Sequence, residues 1–101
     1  MSTLDLKFME MKNLHFPRSM KIKGFYLISR LVNPNVYLKL TWELLTTFVV
    51  YSPSVNNYLK DIILSIRKKW DTLTDIEQEN VVAALMSLNK HGEIERALNS
   101  Y

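Results

Sequence analysis

The sequence predicts an all-α domain, and three observations carry that prediction. Apolar residues recur at three- and four-residue steps in several segments, which is the spacing of one face of an α-helix. Between these segments stand Asn, Ser or Thr residues beside proline or acidic residues, as at helix N-termini. The chain has 101 residues, of which 48% are hydrophobic and only 2 are glycine. We therefore expect a single helical domain over residues 1–101, either complete or a fragment of a longer repeat array.

The first segment is compatible with two structures. Residues 4–8 alternate like a strand, whereas Leu4, Phe8 and Met11 have the spacing of a helix. We predict a helix over residues 4–15 and keep the strand as the alternative.

Pro17 suits the first turn of a second helix, predicted over residues 18–32. The residues expected on its buried face are Ile22, Phe25, Ile28 and Val32. Asn33 and Pro34 form a cap followed by proline, which predicts a third helix over residues 36–51. The β-branched residues near its end would also suit a strand in isolation.

Two further helices have clear N-terminal signals. Ser52 and Pro53 repeat the cap followed by proline and predict a helix over residues 54–70. Its apolar stripe is Val55, Leu59, Ile62, Ile63 and Ile66. Thr74 and Glu77 have the spacing of a capping box at the start of a helix over residues 75–90. Its expected buried face is Val81, Ala84, Leu85 and Leu88.

A last helix is predicted over residues 93–101. Because the connections are short, consecutive helices are expected to be antiparallel neighbours. The predicted pairs are 4–15 with 18–32, 36–51 with 54–70, and 75–90 with 93–101. About three helical hairpins of this kind form either a fragment of an α-solenoid or a small irregular helical bundle.

The charges are unevenly distributed along the chain. Residues 1–69 contain 11 Lys and Arg against 4 Asp and Glu, whereas residues 70–101 contain 2 against 6. A basic part of this kind attracts polyanions. Uneven charge on a solvated surface is the alternative explanation.

Two basic clusters are candidate sites for nucleic acid. Arg67, Lys68, Lys69 and Trp70 join three cations to an aromatic ring, which suits phosphate contacts and base stacking. In the alternative interpretation, these cations favour the negative end of a helix dipole and Trp70 fills the core. Arg18, Lys21 and Lys23 form the second cluster, whose alternative is an exposed helix face.

The sequence has few features of an enzyme. Gly24 and Gly92 are too far apart for a phosphate loop, and cysteine is absent. The residues around His15 and His91 do not form a metal-binding pattern. We therefore expect no catalysis, no cofactor, no metal and no small-molecule substrate. The longest uncharged stretch, 44–59, is too short for a membrane helix, and no presequence is visible.

The C-terminal segment, residues 80–101, resembles the pentatricopeptide repeat family, whose motif is two antiparallel helices joined by a short turn. The matching residues are Leu88, Lys90, Gly92, Ile94, Glu95, Ala97, Leu98 and Tyr101. Gly92 is expected to adopt a left-handed conformation, and Ala97 to allow close helix packing. A second resemblance, over residues 8–12 followed by Pro17, would reverse the order of pairing.

The resemblance implies binding of single-stranded RNA in the maturation, stability or translation of organellar transcripts. The family reads bases from the first helix of each motif, which implicates Asn80 and Ala83 in this chain. A mitochondrial location is implied by the resemblance alone. The alternative function is a helical adaptor that binds another protein.

Overall fold

The computed structural model describes residues 3–32, 53–89 and 92–99. Within these ranges the chain forms helices and no strand, which confirms the all-α prediction. The helices are α1 (Thr3–Met11), α2 (Arg18–Leu31), α3 (Pro53–Lys69), α4 (Asp75–Leu88) and α5 (Glu93–Asn99), with a 3₁₀ turn at Trp70–Thr72. The helix predicted over residues 36–51 lies outside the described residues.

The first segment is a helix, so the strand alternative is wrong. Leu4 and Phe8 are fully buried on one face of α1, and Met11 packs against the same core. The helix ends at Met11, earlier than predicted, where the Leu14 N–H bonds to the Met11 carbonyl in a turn. Phe16 then enters the core from the loop that leads to α2.

Helix α2 has nearly the predicted bounds, but its buried face differs from the prediction. Ile28 and Val32 are buried as expected, whereas Ile22 is 58% exposed. The face turned to the core is centred on Gly24 and Ile28. Ile22 was misplaced because the hydrophobic spacing alone cannot show which side of a helix has a close neighbour.

Helices α3 and α4 follow the sequence prediction closely. The α3 stripe of Leu59, Ile62, Ile63 and Ile66 is buried, while the side chain of Val55 lies outside the described residues. At the start of α4, the Thr74 hydroxyl accepts from the Glu77 N–H at 3.2 Å, and the Glu77 carboxylate accepts from the Thr74 N–H at 2.9 Å. The predicted capping box is confirmed in both directions.

Helix α4 is the centre of the described fold. Its residues from Val81 to Leu85 are buried without interruption, so the middle of this helix is covered all the way round, whereas Asp75 and Ile76 in its first turn are exposed. Its most extensive helix contact is with α2. Gly24 lies against Asn80 and Ala84, while Lys21 lines one cleft together with Met86 and Ser87. Because the numbers rise on one helix as they fall on the other, the two helices are antiparallel.

This arrangement changes the predicted pairing. Helix α2 packs chiefly on α4, which is distant in sequence, and α5 contacts α3 more extensively than it contacts α4. The pairing expected between the first two helices is therefore not a principal contact of the fold. Packing of this kind, across long sequence separations, is that of a small helical bundle, since each repeat of a solenoid contacts its neighbours.

Ion pairs link α1 and the turn after it to α3 and α5. Arg67 on α3 holds the Asp5 carboxylate of α1 at 2.8 Å and also donates to the Leu98 carbonyl of α5 at 3.1 Å. Lys12, just after α1, holds Glu95 of α5 at 2.9 Å. The N-terminal helix is thus tied to the C-terminal one.

Candidate nucleic-acid interface

The cluster at residues 67–70 divides between the core and the surface. The Arg67 guanidinium makes three hydrogen bonds to the Asp5 carboxylate, at 2.8 to 3.2 Å. Trp70 is only 3% exposed, and the Gln78 amide donates to its carbonyl at 3.1 Å. Lys68 and Lys69 remain exposed in the last turn of α3. Arg67 and Trp70 therefore stabilise the fold, and a buried ring offers no face for stacking bases.

The two positions implicated by the family resemblance are covered by other parts of the protein. Asn80 is 6% exposed and Ala83 is fully buried, and the backbone of Asn80 lies against Gly24 of α2. A base edge cannot reach a side chain enclosed in this way without opening the helix pair. In this arrangement Asn80 and Ala83 serve helix packing.

The second cluster lies on α2, and the exposure of its side chains differs from that in the first cluster. Arg18 and Lys23 are exposed, and Lys21 is half-buried toward the loop after α1. Helix α2 contains four Lys and Arg residues, the fourth being Arg30, and no Asp or Glu. Arg18, Lys23 and Arg30 are exposed along one continuous helix, whereas Lys21 faces the loop after α1.

The side of α2 opposite Gly24 also exposes apolar residues. Ile22 and Tyr26 lie one turn apart there and are 58% and 62% exposed. The Arg30 guanidinium lies 5.8 Å from the centre of the Tyr26 ring, within the range of a cation–π contact. We call the surface formed by Arg18, Ile22, Lys23, Tyr26 and Arg30 the outer face of α2.

Sequence reasoning missed Tyr26 and Arg30. The available signal was the four-residue spacing of Ile22, Tyr26 and Arg30, which places them on one side of a helix. That signal becomes informative only when Gly24 is known to face the core. Among the large hydrophobic side chains that are exposed in the described ranges, Tyr26 is the aromatic one.

A polar cleft lies where the loop after α1 meets the C-terminal end of α4. Its volume is about 380 Å³. Its polar lining is Lys12, Asn13, His15, Lys21, Ser87 and Asn89. Its apolar lining is Leu14, Phe16 and Met86. We call it the loop cleft. Its described lining includes the cations Lys12 and Lys21, of which Lys12 is paired with Glu95 at 2.9 Å, and a lining of this charge suits an anion.

A hydrogen-bond network borders the loop cleft. The Asn89 side-chain oxygen accepts from the Ile94 N–H at 3.1 Å and thereby caps α5, while its amide donates to Glu95 at 3.0 Å. The hydrogen bond from Lys12, followed by the one from Asn89, lowers the pKa of Glu95 below its ordinary value. The network holds Lys12 and Asn89 at the edge of the cleft.

The entry to α5 agrees with the predicted turn. Gly92 has φ of 78°, in the left-handed region, as expected from its place in the sequence. Its carbonyl accepts from the Arg96 N–H at 3.0 Å, so it is the first carbonyl bonded into α5. Ile94 and Ala97 are fully buried on the side of α5 that faces the core.

Three further observations bear on the possible classes of site. In the ranges 3–32, 53–89 and 92–99, no group of three or more His, Asp or Glu side chains is placed to hold a metal. None of the helices in the described part of the chain has the length and apolar character needed to cross a bilayer.

Comparisons with family models, curated proteins and solved structures give no match for this sequence.

Proposed function

We propose that this protein is a non-catalytic module that binds single-stranded RNA through the outer face of α2. The observation that carries the proposal is the exposed Tyr26 ring on a helix with four cations and no acid. Stacking of a base on an exposed aromatic ring is a common mode of single-strand binding, and it tolerates any sequence. The pentatricopeptide resemblance and the organellar role stay predictions.

The charges around Tyr26 support this role. Arg18 and Lys23 are exposed on either side of the ring, and Arg30 lies 5.8 Å from its centre. A strand whose base stacks on Tyr26 would therefore bring its adjacent phosphates close to cations. Such contacts release counterions from the strand and make the affinity depend on salt.

Lys68 and Lys69 supply a second group of exposed cations, separate from the outer face of α2. The aromatic residue next to them in sequence, Trp70, is buried. In the proposal they contribute general attraction to the polyanion. They consequently serve as the control for charge removal, compared per charge removed.

The test is a fluorescence polarisation titration of the full chain with mixed-sequence single-stranded RNA at two salt concentrations. Replacing Arg18, Lys23 and Arg30 together by Ala should reduce the slope of log affinity against log salt by about 2, at roughly 0.7 per phosphate contact. Tyr26→Ala should cost about 1–3 kcal/mol of binding energy through lost stacking. Replacing Lys68 and Lys69 by Ala should change the affinity less per charge removed than the outer-face variant does.

Equal effects of the two variants per charge removed, with no effect of Tyr26→Ala, would show that binding is nonspecific and would reject the outer face as the site. Circular dichroism on each variant checks that the helices remain formed. All the substituted residues in this test are exposed, so the fold should tolerate the changes.

A protein adaptor is the second candidate, and Ile22 is the observation that favours it. An aliphatic side chain 58% exposed next to Tyr26 gives the outer face an apolar centre surrounded by cations. An acidic amphipathic helix would complement such a surface. In that case Ile22→Ser should weaken the complex at least as strongly as Tyr26→Ala, whereas RNA affinity should be undetectable in the parent protein at low salt.

A further inference from the structure

We infer that the loop cleft binds a nucleoside phosphate, as a site separate from the outer face of α2. The ligand is a nucleoside that carries a phosphate monoester. It is either a free nucleotide or the 5′ end of an RNA. The inference rests on the composition of the cleft, its size and the orientation imposed by its neighbouring hydrogen bonds.

The polar residues of the lining suit a phosphate. Lys12 and Lys21 supply ammonium groups, and His15 and Asn13 supply further N–H donors. Lys12 gives one of its three N–H groups to Glu95 at 2.9 Å, which leaves donors for a ligand and fixes the direction of the side chain. Charge-assisted hydrogen bonds from such groups are the strong ones for phosphate.

The apolar residues of the lining suit a base. Leu14 is 58% exposed in the loop, and Met86 is partly buried on α4. Phe16 also lines the cleft and is 7% exposed. The volume of about 380 Å³ lies within the range of small-ligand sites, which begins near roughly 300 Å³.

A second cleft of the described structure provides a contrast. It lies between α1 and the 3₁₀ turn, has a volume of about 280 Å³, and includes Lys7, Glu10 and Asp71 in its lining. Two carboxylates against one cation would disfavour a phosphate there. Of these two clefts, the loop cleft is better suited to an anionic ligand.

The experiment is isothermal titration of the full chain with AMP, with adenosine as the ligand lacking phosphate. AMP should bind, and adenosine should bind at least tenfold more weakly. Lys21→Gln should weaken AMP at least tenfold, and His15→Gln should weaken it by a smaller factor. Lys23→Gln, two residues away on the outer face, should leave AMP affinity within twofold.

Methyl NMR shifts provide a measurement that does not depend on the Lys21 variant. AMP should shift the methyl signals of Leu14 and Met86 and leave that of Ile22 unchanged. Equal affinity for AMP and adenosine would overturn the inference. So would equal effects of Lys21→Gln and Lys23→Gln, or shifts confined to Ile22.

A comparison of short RNAs with and without a 5′ phosphate separates the two sources. A preference for the phosphorylated end that Lys21→Gln abolishes assigns the cleft to an RNA terminus, whereas AMP binding without that preference assigns it to a free nucleotide. Tyr26→Ala should leave AMP binding intact in either case. Failure of RNA binding at the outer face would thus be distinguishable from failure of the cleft.

Discussion

A methyl group on Gly24 would overlap the backbone carbonyl oxygen of Asn80, so α2 and α4 cross with no room for a side chain between them. The same methyl would lie 2.8 Å from the Cβ of Ala84, which is tighter than a normal contact. Glycine allows two helices to approach this closely. The principal helix contact of the fold therefore depends on the absence of one side chain.

Gly24→Ala should destabilise the protein. Overpacking costs typically 1–3 kcal/mol, and here the obstacle is backbone, which cannot turn aside. The better helix propensity of Ala offsets roughly 1 kcal/mol or less of this loss in unfolding free energy. Urea unfolding monitored by circular dichroism should show a net loss, whereas Ser19→Ala on the exposed side of α2 should stay within about 0.5 kcal/mol. A more stable Gly24→Ala variant would contradict the close crossing.

Asp5→Ala should lower stability by more than a surface ion pair would. The side chains of Arg67 and Asp5 are 16% and 14% exposed, and removing the carboxylate takes three hydrogen bonds from a largely buried guanidinium. We expect a loss of about 1–3 kcal/mol, between the values for exposed and fully buried pairs.

The control for Asp5 is Asp61→Ala, on the exposed side of α3. Thermal unfolding of both variants measures the difference. Arg67→Ala should be destabilising like Asp5→Ala, and Lys68→Ala should be close to neutral. Equal melting temperatures for the Asp5 and Asp61 variants would remove the structural role assigned to Arg67.

The contribution of Glu95 to stability should depend on pH. Its pKa is lowered in the folded state by the hydrogen bonds from Lys12 and Asn89. The unfolded chain therefore takes up the proton more readily, and the stabilisation is complete above the ordinary value of 4.5. It decreases as the pH falls below 4.5 and is lost once the pH passes below the folded pKa.

Comparison of the parent protein with Glu95→Gln at pH 7 and pH 3 checks this dependence. The difference in unfolding free energy should be within about 1 kcal/mol at pH 7 and smaller at pH 3. Lys12→Gln removes the other partner and should show the same trend. A difference that does not change between the two pH values would disprove the role of the ionised pair.

Ala97→Leu should destabilise the end of the bundle. Ala97 is fully buried on the side of α5 that faces the core, and three added carbons would overpack it at a cost of about 1–3 kcal/mol. Asn99→Leu places the same side chain at an exposed position of α5 and is the matched control. If both variants melt at the parent temperature, Ala97 has no packing role.

Local signals in the sequence were sufficient to predict the helices, their caps and the turn before α5. The capping box of Thr74 and Glu77, the left-handed Gly92 and the stripe from Leu59 to Ile66 were all predicted correctly. Each of these depends on residues within a few positions, because caps and helix faces are formed by neighbours three or four residues apart.

The tertiary structure decided which faces are buried and which partners meet. Ile22 has the hydropathy of a core residue, yet α2 turns Gly24 inward because only that side allows the close crossing with α4. Cations beside a tryptophan, as at Arg67 and Trp70, are equally compatible with RNA binding and with a role in the core. Asp5 and Leu98, which hold Arg67, are far from it in sequence. Contacts of that separation leave no periodic signal, because they depend on how complete helices pack.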